Sequence, residues 1–183
     1  MLTLILFFVV SNHAQGKTTW TRVTSVDQIE SGKIYMLAAY SKNSKGTISS
    51  INYFNPDLES GFYYNETAKI TKTEIPPTTI TDSTKQYLSV ILKQETGGWT
   101  VYNTTTHKYN GYFSPNNIEE SDICNSNYYW TINVNDSKLV EIENKEIPGL
   151  ILGYKINKDS RPLRVYSKAT IENTAPILYK LTS

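Results

Sequence analysis

From Lys17 to Ser183, no stretch keeps apolar residues at helical spacing for three turns. Short runs rich in Tyr, Ile, Val and Thr recur instead, cut by Gly, Asn, Asp, Ser and Pro, the residues that turn a chain. A helix needs an apolar stripe with a 3.6-residue period to bury one side, so a chain without that period has to bury its apolar side chains from strands. The expected strands are "WTRVT" from Trp20, "KIYMLAAY" from Lys33, "TISSINYF" from Thr47, "FYYNETAKIT" from Phe62, "QYLSVILKQ" from Gln86 and "WTVYN" from Trp99. The series continues with "KYNGYFS" from Lys108, "YYWTINV" from Tyr128, "KLVEIEN" from Lys138, "LILGYKI" from Leu150, "PLRVYS" from Pro162 and "PILYKLTS" from Pro176. Roughly twelve strands at this spacing define an all-β class, barrel or sandwich.

The punctuation between the runs locates the turns. Gly97 and Gly98 lie between two alternating runs, as do Asn135, Asp136 and Ser137, so each group predicts a hairpin. Ser25 as a cap and Gly32 as a terminator predict a short helical turn between them. Thr71 to Lys85 is rich in Thr and Pro and reads as an exposed loop, because neither side alone supplies a complete set of strands. The chain is therefore read as one β domain over residues 17–183, long enough for a real core.

Residues 1–16 differ from the rest. The apolar run Leu4 to Val10 is followed by Ala14 and Gly16, small residues at a spacing suited to signal peptidase, so this segment is read as an export signal. The run is well short of the about 20 residues that span a bilayer. The expected location is secreted, periplasmic or cell-surface. Cys124 is the only cysteine, which rules out an internal disulfide and leaves the core to hold the domain.

Three segments share an aromatic residue followed three places later by Asn: Tyr40 with Asn43, Phe113 with Asn116, and Tyr154 with Asn157. The second and third follow hairpins. The terminal strands "WTRVT" and "PILYKLTS" each lack a neighbour in sequence, so their pairing would complete a third hairpin. Three such units predict a closed barrel of about twelve strands with a β-trefoil plan, and a jelly roll or other sandwich is the alternative. Trp20, Trp99 and Trp130, each followed by Thr, are expected to pack in the core.

The phrase "WTRVTSVDQIESGKIYMLAA", the run "LILGYKIN…RPLRVYS" and the closing "PILYKLTS" resemble small exported β-rich domains of Bacteroidetes, some of them appended to secreted hydrolases. The "AQG" end of the leader is similar to export signals of that group. The trefoil plan also invites comparison with ricin-type lectins. Their Gln-x-Trp core motif is absent here, so their sugar-binding residues are not carried over. Trefoil protease inhibitors are matched only by "SGKIYMLAA", and their disulfides are excluded by the single cysteine.

Composition limits the chemistry. Eighteen Lys and Arg against 17 Asp and Glu leave a formal charge of +1, which makes no case for nucleic acid or an anionic membrane as partner. His107 is the one histidine outside the leader, and neither it nor Cys124 lies in a motif of a thiol nucleophile. Clustered zinc ligands are lacking, and "NVNDSKLVEIEN" from Asn133 has Lys138 where a calcium loop needs Gly. No cofactor or metal is indicated. Glu119, Glu120 and Asp122 are the densest acidic group and read as a solvated loop ahead of a catalytic pair. Asn65, Asn103 and Asn135 begin N-glycosylation sequons.

What remains is a secreted, non-enzymatic binding module for glycan. The candidate ligand residues follow the aromatic-x-x-Asn units: Tyr112, Asn116, Asn117, Asn157, Asp159 and Arg161, where amides and hydroxyls meet sugar hydroxyls and a tyrosine stacks on a ring. In this reading Tyr112 points to the opposite face from Phe113. The alternative is a protein-binding factor, such as a protease inhibitor or host-interaction protein, working through the Thr71 to Lys85 loop. A hydrolase with unrecognised carboxylates comes third.

Overall fold

The computed structural model describes residues 17–42, 48–55, 64–68, 77–82, 89–113, 117–154, 163–168 and 176–183. Its strands are β1 (Thr18–Arg22), β2 (Lys33–Lys42), β3 (Ile48–Asn55), β4 (Tyr64–Ala68), β5 (Thr79–Asp82), β6 (Ser89–Glu95) and β7 (Gly98–Asn103). They continue with β8 (Lys108–Phe113), β9 (Asn117–Ser121), β10 (Trp130–Val134), β11 (Val140–Asn144), β12 (Leu150–Tyr154), β13 (Leu163–Ser167) and β14 (Ile177–Leu181). Each of the twelve expected runs contains a strand. β5 and β9 are additional, one inside the Thr/Pro loop and one in "NIEES", and both owe their extended form to the neighbours they pair with.

The two expected hairpins form. β6 and β7 pair from Val90 opposite Asn103 to Glu95 opposite Gly98, whose φ of 139° suits glycine. β10 and β11 pair with Ile132 opposite Ile142. The Asn135 side chain accepts from the Leu139 amide and closes that turn at 3.1 Å. Two 3-10 turns, Val26–Gln28 and Ser126–Tyr128, are described, and in the first the Gln28 side-chain oxygen accepts from the amides of Thr24 (2.7 Å) and Ser25 (3.3 Å). Gly32 follows at φ 79°.

The expected pairing of the terminal strands is also present, with Trp20 opposite Leu181 and Arg22 opposite Tyr179. The closed trefoil barrel is corrected. The main path of the sheet runs β13-β12-β11-β10-β7-β6-β2-β14-β1-β5, an open half-barrel whose two end strands do not pair with each other. β3 and β4 branch from β2, and β8 and β9 branch from β7. A trefoil needs three equivalent units, and the three repeated aromatics occupy unlike places: Tyr40 on the mid-sheet strand β2, Phe113 on the side branch, and Tyr154 next to the end strand. Asn43, Asn116 and Asn157 lie outside the described residues. Nor is the alternative sandwich formed, because all fourteen strands belong to one hydrogen-bonded sheet.

Two apolar clusters explain the curvature. The first gathers Tyr35, Leu92, Val101, Trp130, Ile142 and Leu178 with their neighbours, and the second gathers Trp20, Met36, Ile151, Ile177 and Tyr179. Along β2 the residues alternate between them, Tyr35 and Leu37 to the first, Met36 and Ala38 to the second. β14 and β12 do the same, with Leu178 against Ile177 and Tyr179, and Leu152 against Ile151. These strands are covered on both faces, which is why their sequences read as nearly unbroken apolar runs. Trp20 and Trp130 are buried as expected, and Trp99 packs half-buried against the first cluster.

Candidate functional site

On β6, Val90 and Leu92 enter the core, so alternation turns Ile91, Lys93 and Glu95 to the opposite face. On β7, Val101 enters the core and Tyr102 turns outward opposite Ile91. Tyr102 then meets Tyr109 of β8, directly across the ladder, with ring centroids 5.2 Å apart and planes at 69°, an edge-to-face pair of two half-buried rings. Beside them Lys93 and Glu95 form an ion pair at 2.6 Å.

A third ring joins from the β9–β10 loop. Tyr129 lies flat over the β6–β7 turn, where a Cβ on Gly97 would stand 2.5 Å from its Cε2 atom. Only glycine leaves room for the ring there. The Lys145 amide donates to the Tyr129 carbonyl at 2.9 Å and its ammonium to the Gly97 carbonyl at 2.7 Å, pinning loop to turn. The charge of Cys124 and then burial push the Tyr129 phenol up from its ordinary range, with smaller contributions from Glu95 and Tyr109. Lys93 is raised chiefly by its hydrogen bond to Glu95, and also by Tyr109. Glu95 stands opposite Gly98 in the turn that Tyr129 covers, which brings the Lys93–Glu95 pair and the Tyr129 ring to one end of the β6–β7 hairpin. At neutral pH it offers phenol hydroxyls, an ammonium and a carboxylate around aromatic surface.

A second surface feature is a polar groove of about 330 Å³ where the 3-10 turn meets β1 and β14, lined by Thr21, Asp27, Gln28, Glu30, Lys180 and Thr182 together with Arg22 and Val23. Lys180 pairs with Glu30, and the Ser25 hydroxyl donates to Asp27. The Ser25 bond and the Lys180 bond are the leading reasons that both carboxyls titrate below their ordinary values. Glu30 therefore adds to stability at pH above the ordinary carboxyl range, and this contribution is lost as pH falls through its lowered folded value. In K180M, NMR titration of the Glu30 carboxyl is expected to return it upward toward 4.5, its unperturbed value. An unmoved titration would show that the lysine does not hold it.

Tyr112 is half-buried and packs against the first core cluster, on the inward side of β8 beside Ile118. The ring that alternation turns outward from β8 is Tyr109, three residues earlier. Asn117 opens β9 opposite Phe113, and Asn116, Asn157, Asp159 and Arg161 lie outside the described residues. Of the Thr71 to Lys85 loop, residues 77–82 are described and are tied down: β5 pairs with β1, and the Tyr179 hydroxyl donates to the Pro77 carbonyl at 3.0 Å.

Glu120 is a structural acceptor, taking the Asn103 amide and the Thr106 hydroxyl, each at 2.9 Å. Asn103 is fully buried, and its oxygen accepts from the amides of Thr105 and Thr106. Asn144, also fully buried, repeats the arrangement with the amides of Glu146 and Ile147 and donates to the Asn127 carbonyl at 3.0 Å. These two asparagines close the turns after β7 and β11. The shared endings "VYN" and "IEN" are the sequence signal that could have found them. His107 sits exposed in the first of these turns at φ 58°, while the half-exposed Cys124 follows β9, its thiol pushed up by burial. Among the described residues no group of three His, Cys, Asp or Glu could hold a metal ion, and no helix is long and apolar enough to cross a membrane.

Fold and surface together define an all-β protein on one open sheet, with a tyrosine patch and a polar groove. No protein-family model matches the chain, and no curated protein sequence matches it. Among solved structures it is similar to the lysenin pore, with a TM-score of 0.48 and 10% identity over 85% of this chain and 48% of that one. It is also similar to a complex of lysenin with phosphocholine, with a TM-score of 0.49 and 11% identity over 85% of this chain and 46% of that one. This chain thus spans about half the length of either.

Proposed function

We propose that this chain is an exported, non-enzymatic carbohydrate-binding module whose sugar stacks on the Tyr102, Tyr109 and Tyr129 patch. The observation that carries the proposal is the cross-strand Tyr102–Tyr109 pair set beside the Lys93–Glu95 ion pair. A pyranose ring presents apolar C–H faces and a belt of hydroxyls. Aromatic rings bordered by an ammonium and a carboxylate complement both.

Binding is favoured over cleavage by the state of the carboxyls. Hydrolysis of a glycosidic bond needs a carboxyl held protonated as the acid beside a second that is ionised. Asp27 and Glu30 in the groove are both shifted toward the ionised form, and Glu95 on the patch is engaged by Lys93.

Glycan-array screening followed by calorimetry tests the proposal. The wild-type chain is expected to retain at least one saccharide class, with Tyr102→Ala and Tyr109→Ala each weakening it by up to about tenfold. Glu95→Gln should leave any product analysis unchanged, because no bond is broken. Wild-type signal at background, or an unaltered affinity in the double tyrosine variant, would sink the reading.

A further inference from the structure

We propose that the exposed face of β5 and β1, together with the Lys180–Thr182 end of β14, is a second carbohydrate contact, which takes an extended, uncharged polysaccharide along its length; the proposal rests on the carbohydrate reading above. Trp20 stands opposite Ile80 on one side and Leu181 on the other, and all three turn into the second core cluster. Alternation sends the intervening residues to the opposite face, where Val23 and Leu178 enter the first core cluster and the threonines beyond them reach the surface. Thr19 lies beside Thr81, and Thr21 lies between Thr79 and Lys180. Thr182 joins Thr19 through its amide, which donates to the Thr19 carbonyl at 2.9 Å. The result is an array of threonines on strands about 4.8 Å apart, at intervals of about 6.8 Å along each strand.

The array runs into the groove, since Thr21 and Thr182 line both and their hydroxyls meet at 3.2 Å. The Thr182 hydroxyl donates to the Thr19 carbonyl at 3.1 Å, so at this junction the threonines present acceptor lone pairs, while a threonine hydroxyl without such a bond both donates and accepts, as sugar hydroxyls do. The groove is lined by two cations, Arg22 and Lys180, and two carboxylates, Asp27 and Glu30, so its formal charges sum to zero and it selects for hydroxyl partners over a charged polymer. Among the described residues no aromatic ring lines the groove, so a single sugar gains little there. Affinity has to accumulate with chain length, by repeated weak contacts on one ligand.

The test uses the full chain with short and long cello- and chito-oligosaccharides, and with cellulose and chitin. The variants are Thr19→Val/Thr21→Val, which keeps shape and strand propensity, and Tyr102→Ala, each checked for unchanged thermal unfolding. The threonine variant is expected to lose about tenfold affinity for long chains and polymer and none for short ones, whereas Tyr102→Ala weakens both. If the threonine variant binds polymer as wild type does while the tyrosine variant fails, the second contact is overturned and the carbohydrate reading stands. Equal losses of short and long ligands in the threonine variant would likewise overturn the second contact alone. If the wild-type chain binds none of these probes while the glycan array gives signal, the second contact alone is overturned, and background on both overturns both.

Discussion

Trp130→Ala is expected to cost the fold about 3–5 kcal/mol, read from the denaturant midpoint at unchanged m-value. The side chain is fully buried in the first cluster. Its position matters as much as its volume. The β10 to β13 half of the sheet joins the remainder of the main path through β7, and among the described residues the one directly paired couple at that seam is Trp130 with Trp99. The indole N–H also donates to the Asn110 carbonyl at 3.0 Å, fastening β10 to the β8 branch. Alanine removes both the filling of the seam and this buried bond. Trp130→Phe retains most of the packing and should cost about 1–2 kcal/mol for the missing bond and volume. A loss below about 1 kcal/mol in the alanine variant would show that the seam collapses without harm.

Gly111→Ala is the second large effect, at about 1–3 kcal/mol. Gly111 lies on β8 under the ring of Tyr128, and a Cβ there would stand 2.5 Å from Cε1 and 2.7 Å from Cγ. Tyr128 is 2% exposed, so its ring has no solvent to move into. The clash belongs to the pair, which makes the test a double-mutant cycle. Tyr128→Ala is destabilising by itself, but in that background the glycine substitution should cost little. Additive losses would mean that the alanine strains the strand and not the ring.

The strands are legible in the sequence because burial leaves a direct trace in composition. "SVILKQ" alternates and becomes β6 with one face inward, while "KIYMLAAY" barely alternates and becomes β2, covered on both faces. β9 leaves no such trace: Glu119 and Glu120 are poor strand formers, extended here by pairing with Gly111 and Asn110. Closure of the sheet is not legible because it depends on which strands become neighbours, and the repeated aromatics carry no information on that. The same gap explains the site. Tyr102 and Tyr109 each read as ordinary strand residues, and become a pair only through the β7–β8 register. Tyr112 is expected to bind ligand from the face opposite Phe113, and alternation with the buried Asn110 sets Tyr112 against the first core cluster.

The place of β14 also governs the order of assembly. It stands between β1 and β2, and the hydroxyl contact between Thr21 and Thr182 spans 161 residues of sequence. Until residues 177–181 have been synthesised, β1 has no strand through which to reach β2, and the second cluster lacks Ile177 and Tyr179. The folded sheet therefore holds a late strand at its middle, and its two halves on the main path meet only through residues far apart in sequence. A topology of this kind trades rapid local folding for long-range closure.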